Sequence, residues 1–432
     1  MTAYHPLPRR RVLSGVVAAM LALPLALGAC SSDDGAADDG KIELSFFWWG
    51  GEARAQLTEQ ALALYTQKHP EVTFKKTWQA NQGYFDKLAT LTAGNDAPDI
   101  FQIDDNYLAE YATRNVTADL AEYTKSGKID TSKFQKGLVE YGTVDGKLAG
   151  LAPGENTQGL VYNKAKLDAA GVALPTTGQT WEEHIAWAKD AAAKTKVAGT
   201  MDPSADYKAF WLWLRQQGKE LYNGSELGFT QADVQAWFEL WKGARDGQST
   251  PTPDVIHEGN ATDVTKQLVV TNKALTSWVW ANQLPELQKN TKDDLAVIAY
   301  PGDATKQWAR ASMYFSVYRG SKHKDVAADV LNFLVNDPEA GKILGTDRGL
   351  PSNLDIRSQV AASTDNAAMK ETIQVMDELG KNFGPAPTVP PKGHSTVRSE
   401  LIKAAEEAQY GRATPAQAAE QFFAASQAAI KR

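Results

Sequence analysis

The chain has 432 residues, of which 43% are hydrophobic and 22% charged, with a formal charge of −7. An acidic balance argues against nucleic acid and against a polybasic membrane patch, and a single cysteine excludes an internal disulfide framework. Twelve tryptophans are many for so polar a chain; most must pack in cores, and the remainder are candidates for ligand contact.

Arg9-Arg10-Arg11 precedes an apolar run, Val12 to Leu27, that Gly15 and Pro24 interrupt. This reads as an export signal over residues 1–29 rather than a membrane span. It ends in Leu27-Gly28-Ala29-Cys30, which resembles the lipobox of bacterial lipoproteins. The resemblance implies cleavage before Cys30, acylation of its thiol and an extracytoplasmic protein anchored to the cell membrane by lipid. Arg9 to Leu13 also resembles a twin-arginine export motif with Pro8 in place of the usual Ser or Thr, so Sec and Tat export both stay open. The mature chain has 42 basic against 52 acidic residues, a charge of −10. Residues 30–40 hold four aspartates and no large apolar side chain, the composition of a flexible tether.

From Leu44 to Trp49 the chain reads as a strand that runs into Gly50-Gly51, and a helix follows over Glu52 to His69 with Leu57, Ala61, Leu64 and Tyr65 on one face. Val72 to Trp78 alternates as a second strand, and Tyr84, Leu88 and Leu91 mark a helix ending near Gly94. Asp96 to Asp104 reads as a turn and a short buried strand, with a helix from about Asn106. Strands alternating with helices predict an α/β lobe with a largely parallel sheet, whose ligand sits at the carboxyl ends of the strands. About 400 mature residues exceed one small core and predict two lobes.

The run from Ser45 to Leu120, with Phe47-Trp48-Trp49-Gly50-Gly51, His69-Pro70 and Ala97-Pro98-Asp99-Ile100, resembles the first lobe of the carbohydrate-binding proteins of ATP-binding-cassette importers, the maltose-binding-protein-like group. Asp145-Gly146-Lys147-Leu148 through Pro153 and then Gly159 to Lys164 resemble that family's first interlobe crossing and the strand after it. Thr180 to Glu183, Arg319 to Lys324 with Asp337 to Ala340, and Gly349 to Ser352 resemble later segments in the same order. The resemblance implies a two-lobed α/β fold of the type II periplasmic-binding-protein kind, its lobes joined by a multi-crossing hinge and closing on a ligand. Mapped on this chain, lobe 1 is 41–150 plus 302–350 and lobe 2 is 151–301 plus 351–432. Pro153-Gly154, Pro301-Gly302 and Gly349 to Pro351 are turn signals where crossings are wanted.

A sugar offers a flat C–H face to an aromatic ring and a rim of hydroxyls to planar or charged groups. Such mixtures occur at Trp49 with Glu52 and Arg54, at Asp104-Asp105-Asn106, where one cap does not need two carboxylates, and at Glu155-Asn156 beyond the first crossing. Tyr207 and Trp211 share a helix face, and Trp278 and Trp280 share a strand face. The resemblance makes Trp278 the expected stacking platform with Trp280 its companion, turns Arg310 to Tyr314 and Arg348 to the cleft, and places Trp49 there while strand alternation sends Trp48 to the core. Arg54 and Arg348 would suit an acidic sugar such as an oligogalacturonide.

No Walker loop, nucleophile elbow or zinc-protease motif occurs, and the six histidines lack ligand spacing. The expectation is therefore a binding protein rather than an enzyme, without cofactor or metal. It is expected to act as a monomer, capture a mono- or oligosaccharide by hinge closure and deliver it to an importer's permease subunits. The alternatives are a surface-anchored glycoside hydrolase and a binder of a polyol or polyamine.

Overall fold

Seven strands make the two principal sheets: β1 (Ile42–Trp49), β2 (Val72–Gln79), β3 (Ile100–Ile103), β4 (Gln158–Asn163), β5 (Thr276–Trp280), β6 (Leu295–Ile298) and β7 (Tyr314–Val317). The computed structural model describes residues 40–259 and 263–431, so the signal segment and Cys30 lie outside the described residues.

β1 is aromatic-rich and sits between two parallel neighbours, β2 along its whole length and β3 at its carboxyl end. Strand β7 joins β3 antiparallel, so the expected parallel sheet carries one reversed edge strand that arrives late in the chain. Leu44, Phe46 and Trp48 pack beneath the helices Glu52–Lys68 and Lys324–Asn336, whereas Phe47 and Trp49 join a second core with Tyr84, Leu88 and Leu108. The period of two thus separates the adjacent tryptophans as the sequence predicts.

The second sheet has the order β5-β4-β6, antiparallel throughout. One face meets a core that contains seven tryptophans, among them Trp181, Trp211, Trp237, Trp241 and Trp278. The other face, with Val161, Val279 and Val297, packs on Leu284, Leu287 and Met376. Helix starts follow their capping chemistry: Thr180 and Glu183 form a capping box ahead of helix Trp181–Thr195, and Asp206 caps helix Tyr207–Gln216.

The segments that link the sheets meet at one point. Gly154–Glu155 pairs antiparallel with Leu350–Pro351, and Glu155 also bridges Ala311. Two glycines permit this approach. A Cβ on Gly154 would lie 2.3 Å from the Arg348 carbonyl oxygen, and one on Gly349, whose φ is +96°, would lie 2.5 Å from that of Glu155. Pro301-Gly302 is held by Gln179 and Gln216 (2.5 and 2.8 Å), and the middle linking segment comes alongside further on, at Arg310 to Ser312.

At this junction Glu155 is 0% exposed, and so is Arg357, whose Nη2 lies 2.8 Å from its Oε2. Gln135 Nε2 and Thr157 Oγ1 also donate to the Glu155 carboxylate (3.0 and 2.7 Å), and Arg357 donates to the Pro351 carbonyl and to Asp377 (2.9 and 3.0 Å). Glu155, expected among the ligand contacts, is engaged here instead. Desolvation of both charges is offset because their remaining hydrogen-bonding positions are filled. Arg357→Ala would leave Glu155 charged and buried without its partner, and chemical denaturation should register a loss of about 3–5 kcal/mol; a loss below ~1 kcal/mol would mean that Gln135 and Thr157 suffice.

Candidate ligand-binding cleft

β3 ends in Asp104, which caps the helix Asp105–Thr113 by accepting from the Asn106 backbone N–H (3.0 Å). Asp105 opens the first turn and meets Arg310 in a two-pronged pair, Nε to Oδ2 at 2.9 Å and Nη2 to Oδ1 at 2.6 Å, while Tyr141 Oη donates to Oδ2 at 2.8 Å. The pair is buried, with Arg310 5% and Asp105 2% exposed. The Arg310 guanidinium lies 4.4 Å from the centre of the Trp280 ring, and Lys208 Nζ lies 4.8 Å from it while pairing with Asp206 at 2.8 Å.

Tyr207 stands beside this group. Arg398, from the helix His394–Gln409, covers its ring at 4.5 Å and donates to Asn106 Oδ1 at 3.3 Å. His394 meets the Tyr207 ring edge-on at 5.1 Å, and its Nδ1 lies 2.7 Å from Tyr222 Oη. The ends of β3 and β5 and the first turns of three helices therefore bring Asp104, Asp105, Asn106, Tyr207 and Trp280 together.

Asn156 joins them through its backbone N–H, which donates to the Arg310 carbonyl oxygen at 2.8 Å. Gln158 is the cross-strand partner of Trp280, so its side chain leaves the sheet on the same face as that ring. Gln158 is 1% exposed, yet neither end of its amide has a protein partner. Asn156 Oδ1, Tyr314 Oη and His394 Nε2 are likewise buried and unpaired. Buried polar groups are normally satisfied, so these free ones beside an indole and a phenol make this surface the candidate for receiving a ligand's polar atoms.

The electrostatics follow from burial and neighbours. Burial, and then the charge of Asp105, push the Asp104 carboxyl up to about 7. Burial acts on Asp105 in the same sense, but Arg310 and hydrogen bonds outweigh it and hold that carboxyl below its ordinary range. Burial, with Arg398 second, lowers His394 to about 3, so its imidazole is neutral at physiological pH.

Other candidates lie elsewhere. Trp278 is 6% exposed in the tryptophan core, stacked on Trp181 at 5.5 Å with its Nε1 donating to the Met201 carbonyl at 2.7 Å. It shares a face with Trp280 but sits about 7 Å further along the strand, beneath the helices. The open ring is therefore Trp280. Trp211 is buried against Trp308 and donates to Glu220. Trp49 is 8% exposed and covered by Tyr84 and Phe85 (5.1 and 5.5 Å). Glu52 is exposed and accepts from Gln56. Arg54 and Arg348 both bind Asp347 (2.9 and 3.1 Å), and Arg348 also donates to Gln102 and Thr58. Burial, with the charge of Arg54 second, lowers Arg348 to about 9.

Sequence reasoning missed Gln158, Lys208, His394 and Arg398. For Gln158 a signal existed, a polar residue opening an otherwise apolar strand; the other three depend on how distant helices dock.

The sequence profile of a family described as bacterial extracellular solute-binding protein matches residues 60–371. The chain belongs to this family. Among its relatives, a lactose-binding protein of Rhizobium radiobacter is 32% identical over 158 residues, which is 35% of this chain and 36% of that protein. The curated relatives are thus matched over about a third of their length. A family 1 extracellular solute-binding protein from Alicyclobacillus acidocaldarius is similar in structure with a TM-score of 0.77 at 26% identity, covering 91% of this chain and 99% of the other. A periplasmic oligogalacturonide-binding protein from Yersinia enterocolitica shares the fold with a TM-score of 0.76 at 19% identity over 90% and 99% of the two chains. The solute-binding protein thus has the two-lobed type II fold that the resemblance implied.

The raised Asp104 group gives this solute-binding protein a pH signature. An unfolded carboxyl releases its proton near pH 4, whereas the folded one keeps it to about 7. Across that window the native state holds the extra proton, so stability falls as pH rises and levels off above it. Asp104→Asn keeps the capping oxygen and removes the titration; its melting temperature relative to wild type should be higher at pH 8 than at pH 5. An equal difference at both values would remove Asp104 as the source.

Proposed function

We propose that this solute-binding protein captures a mono- or oligosaccharide in the cleft around Trp280 and Tyr207 and hands it to the permease of an ATP-binding-cassette importer. The observation that carries the reading is the group of five unpaired buried polar atoms on Asn156, Gln158, Tyr314 and His394, beside an indole and a phenol. Hydroxyl groups can serve as donor or acceptor to each of them, and a sugar's C–H face can lie on a ring. The lactose-binding relative supports the same class of ligand.

Capture works by hinge closure in this reading. Ligand bridges groups from both sheets, and the closed form gains only by contacts that the open one lacks. The junction of Gly154–Glu155, Ala311 and Leu350–Pro351 supports a hinge there, with lobes at 41–150 plus 302–350 and 151–301 plus 351–432. No turnover belongs to this role. Asp104 and Asp105 are adjacent in sequence, Asp105 is held by Arg310 and Asp206 by Lys208, which does not favour an acid and nucleophile facing each other across a glycosidic bond. Neither is a polyamine favoured, since Asp105 and Asp206 already have cations. Export and lipid attachment at Cys30 complete the proposal: Cys30→Ser should move the protein from the membrane fraction to the soluble one, and unchanged fractionation would refute the anchor.

In a thermal-shift screen of saccharides, at least one should raise the melting temperature in a concentration-dependent way and be recovered intact. Trp280→Ala should then weaken binding about tenfold or more, ~1.4 kcal/mol, with folding unchanged, whereas Trp278→Ala should cost about 3–5 kcal/mol of stability. Intact affinity in folded Trp280→Ala would dismiss the ring as a platform.

A further inference from the structure

We infer that the ligand is an uncharged saccharide whose hydroxyls are read by the amides of Asn156 and Gln158, and that the cleft discriminates against uronic acids. This rests on the saccharide reading above and adds the charge class and the residues that enforce it.

The crossing strand supplies the first argument. Along Glu155 to Gln158 side chains alternate: Thr157 donates to Glu155 on the junction side, which sends Asn156 and Gln158 to the other side, where Gln158 is the cross-strand partner of Trp280 and the Asn156 backbone N–H binds the Arg310 carbonyl. Two amides two residues apart, about 7 Å along an extended chain, thus line up beside the indole. Their unpaired atoms are two carbonyl oxygens and one NH2 group. A carbonyl oxygen needs a donor, and an ionised carboxylate has none, whereas a hydroxyl serves all three atoms.

The charges supply the second argument. Arg310 is occupied by both oxygens of Asp105, and Lys208 by Asp206. Arg54 and Arg348, the residues that suggested an acidic sugar, are committed to Asp347, Gln102 and Thr58. Arg398 is spread over Tyr207 and donates to Asn106. Asp105 is already balanced by Arg310, which leaves Asp104 to set against Arg398, both of them hydrogen-bonded to Asn106. A uronate would find Arg398 as its guanidinium, already shared with Asn106 and the Tyr207 ring, and burial makes a carboxylate so incompletely matched costly.

The test uses purified mature protein and matched pairs that differ only at the carboxylate. A panel of neutral hexoses, pentoses and their oligosaccharides is compared by thermal shift and calorimetry with the corresponding uronates, including galactose against galacturonate and digalactose against digalacturonate. The expected result is binding of a neutral sugar with its uronate at least tenfold weaker. Equal or tighter binding of the uronate overturns the charge assignment and leaves saccharide capture standing, whereas binding of neither class overturns saccharide capture itself. With the best ligand, Gln158→Leu should lose at least tenfold in affinity while the ligand-free melting temperature stays level or rises, because an unpaired buried amide is replaced by an apolar group of similar size. Gln158→Met, which keeps the unbranched stem, should behave alike. A lower ligand-free melting temperature in both variants, or unchanged affinity in either folded variant, overturns the role of Gln158.

Discussion

The two-pronged pair between Asp105 and Arg310 governs the cleft. It joins the carboxyl end of β3 to the extended segment ahead of β7, and the same guanidinium lies over the Trp280 ring at the end of β5. A charge this buried persists only with a matched partner and filled hydrogen bonds, and Tyr141 supplies the remaining donor to Asp105. One interaction therefore ties two segments of the first sheet together, holds a cation over the aromatic ring and leaves the neighbouring Asp104 as the carboxyl that burial and the Asp105 charge push up.

Alternation along a single strand does much of the remaining work. Glu155 and Asn156 are adjacent and both polar, yet the first is tied to Arg357 at the junction and the second is assigned to the proposed cleft, because successive side chains of an extended chain point in opposite directions. In the proposed reading, binding and bending would be coupled through four consecutive residues. A ligand that engaged Asn156 and Gln158 would act on the backbone that carries Glu155, whose carboxylate is tied to Arg357 and Gln135.

Much of the scaffold was legible in the sequence. The strands at 42–49 and 72–79, the helix beginning at Glu52, the capping box at Thr180 and the division of Trp48 from Trp49 rest on local periodicity and capping, which are properties of short segments. The reversed strand β7 was not legible, because pairing between residues 100 and 317 is decided by packing across more than two hundred positions. Asp104 to Asn106, Tyr207 and Trp280, each a cleft candidate from the sequence, lie near one another in the structure, whereas Trp278 lies in the tryptophan core. A face can be read from a period of two; depth along that face depends on which helices lie over the sheet. Arg54 and Arg348 show the same difficulty for charge, since nothing local announces that both would be claimed by Asp347.

The tryptophan core beneath the second sheet bears on how this protein can be observed. Trp181, Trp213, Trp237, Trp241 and Trp278 form a chain of indoles with neighbouring centroids 5.4 to 6.2 Å apart. Excitation absorbed anywhere in such a chain can migrate among its members before it is emitted, so much of the ultraviolet fluorescence originates from rings that face no solvent. Trp280 is a minor emitter against that background, and its light is further shaped by the two cations on its ring. Occupation of the cleft would consequently change the intrinsic emission only slightly, and a nearly flat fluorescence titration is compatible with a fully occupied site.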